Sequence, residues 1–345
     1  MRLAAWLRRP IVWLPISLAL LAIVAWRSRL WEAGDRLGHV DIAPLAAALA
    51  LSALIPVLWA VRSAALLRAA GQPVPVRPLI PMTALANTVN NLTPGSSGEI
   101  LRLWLLRAHH GVDYATGGAV IVVERVAALA YLSGSAVLFW LAVVAGLPPL
   151  AVLVALAVLV ALPGVAYGLG VRPSRVVAAI PLGRAVGRER WARLGSWLRR
   201  VDDTIASLLT RPLRLVSFAA ATGGILACYT LQLVLVGRAL GITLDPVAAW
   251  GALGLGLTAG VLSLLPFGLG STDFVVASLL GVVGVPPIEA TAMTFGYRLV
   301  STVPLALAGV VSYALLSAGL PDTSTLMSAV TRDAVGADGP DGGLA

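Results

Sequence analysis

Two stretches of this sequence place a proline-glycine break, an acid, a Gly-Val pair and an arginine in the same order at nearly equal spacing. The first reads Asn90-Asn91-Leu92-Thr93-Pro94-Gly95, then Gly98-Glu99 with Arg102, then Gly111-Val112 twelve residues after the acid, then Glu124-Arg125. The second reads Pro266-Phe267-Gly268-Leu269-Gly270, then Asp273, then Gly284-Val285 eleven residues on, then Tyr297-Arg298. In both, the arginine falls fourteen residues after the glycine. An ordered constellation met twice signals an internal repeat. Its chemistry is that of carboxylate-guanidinium pairing and anion binding.

Each break interrupts a helix, because proline lacks a backbone donor and glycine tolerates positive φ. Unpaired N–H and C=O groups then lie among apolar segments, where lipid cannot satisfy them and only packed protein or a wet cavity can. A helix restarting at Ser96 or Ser97 directs free N–H groups and the positive end of its dipole at such a cavity, a seat for an anion such as phosphate. Plainer roles compete. Ser96 with Glu99 fits a capping box, Asp273 can cap its own helix, and Glu124 and Arg125 can snorkel to an interface. Arg298 lies about ten residues inside its apolar span, too deep to snorkel, and an unpaired arginine there costs at least about 2.5–3.5 kcal/mol. The expectation is that Glu99 and Asp273 face Arg125 and Arg298 across a central cavity, with the pairing left open. A guanidinium fork can exchange a carboxylate for a phosphate without changing charge.

These residues need apolar helices to carry them, and the composition supplies them. Of 345 residues 59% are hydrophobic and 12% charged, and the mean hydropathy is +0.91, so most of the chain has lipid as its solvent. Apolar spans near the roughly 20 residues that a crossing helix needs run over 10–26, 42–61, 117–145, 149–171, 215–240 and 289–320. The first carries no small-residue cleavage site and reads as a retained anchor. Two further stretches, 79–107 and 246–285, are apolar but broken in the middle. The expected fold is therefore an all-α polytopic membrane protein with about six transmembrane helices plus two re-entrant broken-helix hairpins in an inverted repeat.

Arginine placement orients it. The stretch 172–214 holds ten arginines against Glu189, Asp202 and Asp203, which marks it as cytoplasmic, together with the N-terminus, the C-terminus and the loop holding Arg62, Arg68 and Arg77. The first broken stretch has arginine-bearing flanks and the second arginine-free flanks, so they should dip in from opposite sides. The expected organisation is an anchor and external loop over 1–41, a first repeat over 42–171, a basic cytoplasmic loop over 172–214, a second repeat over 215–320 and a disordered polar tail over 321–345. Within the basic loop, Trp191, Leu194, Trp197, Leu198 and Val201 recur at helical spacing among arginines, the pattern of an amphipathic helix on an anionic membrane surface.

Several chemistries drop out. All 25 basic residues are arginine, which excludes a P-loop lysine, a Schiff base and a pyridoxal attachment site. Cys228 is the single cysteine and the three histidines lack metal-ligand spacing, so neither a disulfide, a metal nor a cofactor is expected. The arginines cluster between apolar spans, which assigns them to membrane topology and not to nucleic acid.

The segment from Asn90 to Glu99 with Arg102, the Glu124-Arg125 pair, the Pro266 to Gly270 motif and Arg298 resemble the transmembrane region of lysylphosphatidylglycerol synthases, a family of flippase-like membrane proteins. The likeness covers about residues 40–318. Where the family's second motif ends in glutamate, this chain has Asp273, one methylene shorter. The sequence ends at Ala345 in a polar tail, where bifunctional members continue into a soluble aminoacyl-transferase domain, so the resemblance implies lipid translocation and not lipid aminoacylation. The expected function is translocation of an anionic phospholipid or a polyprenyl-phosphate-linked lipid across the cytoplasmic membrane, without enzymatic activity. Membrane lipids are the expected partners, and a homo-oligomer or a separate lipid-synthesising enzyme is compatible with the sequence. The competing readings are a membrane-embedded lipid-modifying enzyme and a non-transporting scaffold or regulator.

Overall fold

The computed structural model describes residues 40–93, 97–148, 167–175, 188–263 and 265–316, with isolated positions at 22, 26, 150–152, 154 and 158. The anchor expected over 10–26, most of the span over 149–171, Gly95 and the tail over 321–345 lie outside the described residues. Every element among the described residues is helical: α1 Ile42–Ala69, α2 Val76–Leu92, α3 Ser97–His110, α4 Tyr114–Phe139 continued by a π-helical turn Trp140–Val144, α5 Arg188–Leu209, α6 Pro212–Ala239, α7 Pro246–Ser263, a 3-10 turn Pro266–Gly268, α8 Ser271–Val282 and α9 Pro287–Leu316. Five are long and apolar enough to cross a membrane: α1, α4 with its π turn, α6, α7 and α9.

Glycine sets the helix ends. Gly111 and Gly284 both have positive φ, at 66° and 90°, and each closes the helix before it as Gly284 N–H and Val285 N–H return to Gly281 O and Leu280 O, at 3.0 Å each. Val112 and Val285 then bury against that helix, the hydrophobic contact of a Schellman-type end. The repeated Gly-Val pair is thus a terminator. Gly71 and Gly241, at φ 79° and 75°, end α1 and α6 in the same way. The first of these corrects the expected loop at Arg62. Helix α1 runs on to Ala69, so Arg62 sits seven residues inside it.

The packing is reciprocal. Helices α1 and α6, which precede the two broken stretches, lie along one another. Helix α2, the leading arm of the first broken pair, packs on α9, which follows the second pair. Helix α7, the leading arm of the second pair, packs on α4, which follows the first. Both exchanged contacts close on a glycine. A Cβ at Gly309 of α9 would stand 2.9 Å from Thr88 Cγ2, and one at Gly251 of α7 would stand 2.7 Å from Phe139 Cα. Two large apolar cores result among the described residues, one around Leu66, Leu67, Leu105 and Val120, the other around Leu233, Leu253, Leu280 and Met293, with a smaller cluster of Ile55, Trp59, Ile225 and Cys228 between α1 and α6.

Between them α1, α6 and α9 share one polar fastening. Pro304 inside α9 cannot donate to the carbonyl four residues back, and that carbonyl, Val300 O, instead accepts from the Ser52 hydroxyl and from Gln232 Nε2 at 3.3 Å. Gln232, fully buried, also donates to Ala48 O at 3.0 Å and Ser52 Oγ at 2.8 Å. A carbonyl that lipid would leave unsatisfied is thereby paired twice.

Helix α5 does not present its whole apolar stripe outward. Leu198 and Val201 are buried, Trp197 packs on the first core and donates to Ala115 O at 3.2 Å, and Leu194 stays exposed. Arg200 reaches Asp113, the N-cap of α4, at 2.6 Å. Burial raises the Asp113 carboxyl, but hydrogen bonds from Thr116 and the charge of Arg200 more than offset it and hold the group below the usual aspartate range. The folded value lies below the unfolded one, so the stability contributed is present above the unfolded value near 4 and is lost as pH falls through the folded value. Both side chains are about half exposed, which limits the pair to under about 1 kcal/mol. Amides of α5 are expected to exchange faster on going from pH 6 to pH 3, relative to Asp113→Asn at each pH. An equal response in the variant would remove Asp113 as the tether.

Candidate functional site

The first centre is built on α1, α2, α3 and α4. Helix α3 begins at Ser97, whose hydroxyl meets that of Thr93 across the break. At the next residue, Gly98 lets α3 close on α2, because a Cβ there would strike Ala86 O and lie 2.8 Å from both Asn90 N and Oδ1. That approach sets Glu99 beside Asn90, whose Nδ2 donates to Glu99 Oε1 at 3.1 Å. Arg125 from α4 donates to the same oxygen at 2.6 Å. Gly98→Ala is expected to push the arms apart and to lower stability by about 1–3 kcal/mol, as overpacking does, read as a lower Tm in detergent. An unchanged Tm would show that the arms have slack.

Arg102, one turn after Glu99, points to the other face of the cluster. Its Nη2 donates to Glu124 Oε2 at 2.7 Å and its Nη1 lies 3.6 Å from Glu99 Oε2. Glu124 also accepts from Ser63 Oγ at 2.7 Å and stands 3.9 Å from Arg62 Nη2. Arg102 and Glu124 are buried, whereas Arg125 is exposed. Apart from Ser63, these side chains line a small open cleft together with Trp59, Thr83, Asn87 and Asn90.

The second centre is built on the α7–α8 break and α9. Phe267 takes a left-handed conformation, φ 53°, and Gly268 and Gly270 follow at φ 58° and 81°. Asp273, fully buried, accepts from Gly270 N–H at 2.8 Å and so caps α8. It also takes a two-pronged contact from Arg298, Nε to Oδ1 at 2.7 Å and Nη2 to Oδ2 at 2.9 Å. The same guanidinium donates to the carbonyls of Phe267 at 2.7 Å and Gly268 at 3.1 Å. It therefore holds both the carboxylate and the irregular backbone of the break.

The pairing that the sequence left open runs within each half, Glu99 to Arg125 and Asp273 to Arg298. Asp273 and Arg298 do not line the cleft of the first half. Tyr297 packs into the second core, and Asn91 is exposed beyond the end of the cluster. The sequence reading missed Arg62, Ser63, Trp59 and Asn87. Arg62 had a signal: Gly71-Gln72-Pro73 is a helix-ending pattern, and a helix running that far carries Arg62 inside it.

A chain whose described residues are all-helical, with five helices of membrane-crossing length among them, two broken helical pairs and charged side chains buried beside each pair, is a polytopic integral membrane protein. A family model describing the lysylphosphatidylglycerol synthase TM region matches residues 11–309, most of the chain, and the protein belongs to that family. The match begins well before residue 40, so the apolar span over 10–26 falls within the family region. A comparison with curated proteins returns no match.

Proposed function

We propose that this protein is a flippase-like transporter that passes the head group of an anionic phospholipid or a polyprenyl-phosphate-linked lipid through the cleft between α1, α2, α3 and α4. The observation that carries this reading is a polar, arginine-rich cleft lined by both arms of a broken helical pair in an otherwise apolar chain, since broken helices and buried charge at membrane depth mark substrate paths in transporters. The reciprocal packing supports two re-entrant hairpins in an inverted repeat, the α2–α3 pair entering from the cytoplasmic side and the α7–α8 pair from outside. Residence in the cytoplasmic membrane follows from the same arginine asymmetry.

The cleft residues offer ion pairs and amides for a head group, and the protein on this reading is not an enzyme. Arg125 can leave Glu99 for a lipid phosphate, because its side chain is 45% exposed and holds a single carboxylate oxygen. In proteoliposomes holding a fluorescent phosphatidylglycerol, Arg125→Gln is expected to slow head-group transfer at least about tenfold, the scale of a lost charge-assisted hydrogen bond, with unchanged gel-filtration behaviour. Transfer at the wild-type rate would sink the proposal. One observation favours a scaffold role for part of the machinery: the Asp273–Arg298 pair is satisfied from within, so the second centre fits a latch that fixes helix packing.

A further inference from the structure

Among the described residues the charges in the cleft do not balance. Three guanidinium groups, Arg62, Arg102 and Arg125, face two carboxylates, Glu99 and Glu124. Arg125 is hydrogen-bonded to Glu99 and Arg102 to Glu124. Arg62 makes only the loose 3.9 Å approach to Glu124, and its Nε is buried with no hydrogen-bond partner. It is the surplus cation. Three further buried polar atoms without hydrogen-bond partners belong to residues that line the same cleft: Asn90 Oδ1, Glu99 Oε2 and Arg102 Nε. Buried polar atoms are almost always paired, and a group of unpaired ones around one opening marks a place where a polar ligand or water completes them.

We infer that this cleft holds one singly charged oxyanion, the phosphodiester of a lipid head group, and that Arg62 anchors it. The inference rests on the lipid-handling reading above and adds the charge that the site accepts. One net positive charge is neutralised by one phosphodiester. A diphosphate brings two or more negative charges and leaves the excess uncompensated in a partly buried site, where an unpaired charge is costly. Arg62 lies seven residues from the end of α1, or about 10 Å along the axis, which suits a head group drawn in below the surface. The N–H groups on Nε and Nη1 of Arg62 remain for phosphate oxygens, and Asn87 lines the same cleft.

The test is equilibrium binding to the purified full-length protein in detergent, using dioctanoylphosphatidylglycerol, farnesyl diphosphate and glycerophosphoglycerol, the last being the same diester without acyl chains. Wild type is expected to bind the phosphatidylglycerol at least about tenfold more tightly than either of the others. Arg62→Gln should weaken that binding at least about tenfold and Arg62→Lys should restore part of it. Glu99→Gln adds one net positive charge and should shift the ratio of affinities at least about tenfold toward the diphosphate, a change that a purely structural role for Glu99 would not produce. Tighter binding of farnesyl diphosphate by wild type, an unmoved ratio in Glu99→Gln, or full affinity in Arg62→Gln overturns the inference. Equal binding of glycerophosphoglycerol assigns the cleft to a free anion and overturns the lipid source. If Arg62→Gln does not fold, Arg62→Lys and Glu99→Gln decide. Head-group transfer measured on the same wild-type preparation separates the two readings: transfer without charge preference removes only this inference, and charge preference without transfer removes only the transport function.

Discussion

Arg298→Ala is expected to lower stability by about 3–5 kcal/mol, the range for breaking one side of a buried ion pair, read as the loss of Tm or of unfolding free energy in detergent. The size follows from what the guanidinium leaves behind. Asp273 has 0% exposure and would retain a single donor, Gly270 N–H, for a full negative charge. The carbonyls of Phe267 and Gly268, freed by a helix break and by a left-handed Phe267, would lose Arg298 as well. Arg298→Lys should recover only part, since one ammonium cannot reproduce a planar fork that serves two carboxylate oxygens and two carbonyls. Adding Asp273→Asn to Arg298→Ala should recover a large share, because a neutral amide oxygen can still cap α8 without a buried charge. A single variant as stable as wild type would show that water reaches Asp273 and that the latch is not closed.

The second large effect belongs to Glu124. Glu124→Leu is expected to destabilise by a similar 3–5 kcal/mol or so, because it strands Arg102, 5% exposed, beside Arg62 with only the 3.6 Å approach to Glu99 for compensation. Ser63 also loses its acceptor. Glu99→Leu should cost clearly less. Its main partner Arg125 is exposed and can find solvent, where ion pairs contribute under about 1 kcal/mol. The ordering of the two variants is the discriminating measurement. If Glu99→Leu proves the more damaging, the buried pair is not the one that holds the first centre together.

The repeated motif was legible because its parts obey local rules. Proline and glycine break helices wherever they stand, a deep arginine needs an acid, and the equal spacing brought Glu99 and Asp273 forward with their arginines. The partner assignment was not legible, since a glutamate can reach several arginines across a helix interface and only the Gly98 approach decides that Glu99 turns to Arg125. The Gly-Val pairs illustrate the opposite error. They marked the repeat without a stated role, and they are helix terminators whose spacing records helix length. Arg62 escaped because an arginine after an apolar run reads as a loop residue under topology rules, while the cap at Gly71 shows that the helix continues past it. Gln232 escaped for another reason: its partner carbonyl is freed by Pro304, 72 residues away in sequence, and nothing local marks that meeting.

The exchange of arms between halves bears on how the protein is made. Helix α2 has its resting place on α9, with Thr88 donating to Leu305 O across 217 residues of sequence, and α4 has its own on α7. While the ribosome is still producing the first half, faces of three of its helices, α1, α2 and α4, have no partner and wait in the bilayer for chain that does not yet exist. Pairing at that range is slow to nucleate and leaves unfinished intermediates open to degradation. The unit of biogenesis is therefore the whole pair of halves, and a nascent chain released before α9 lacks both the resting place of α2 and the arginine that holds the second break.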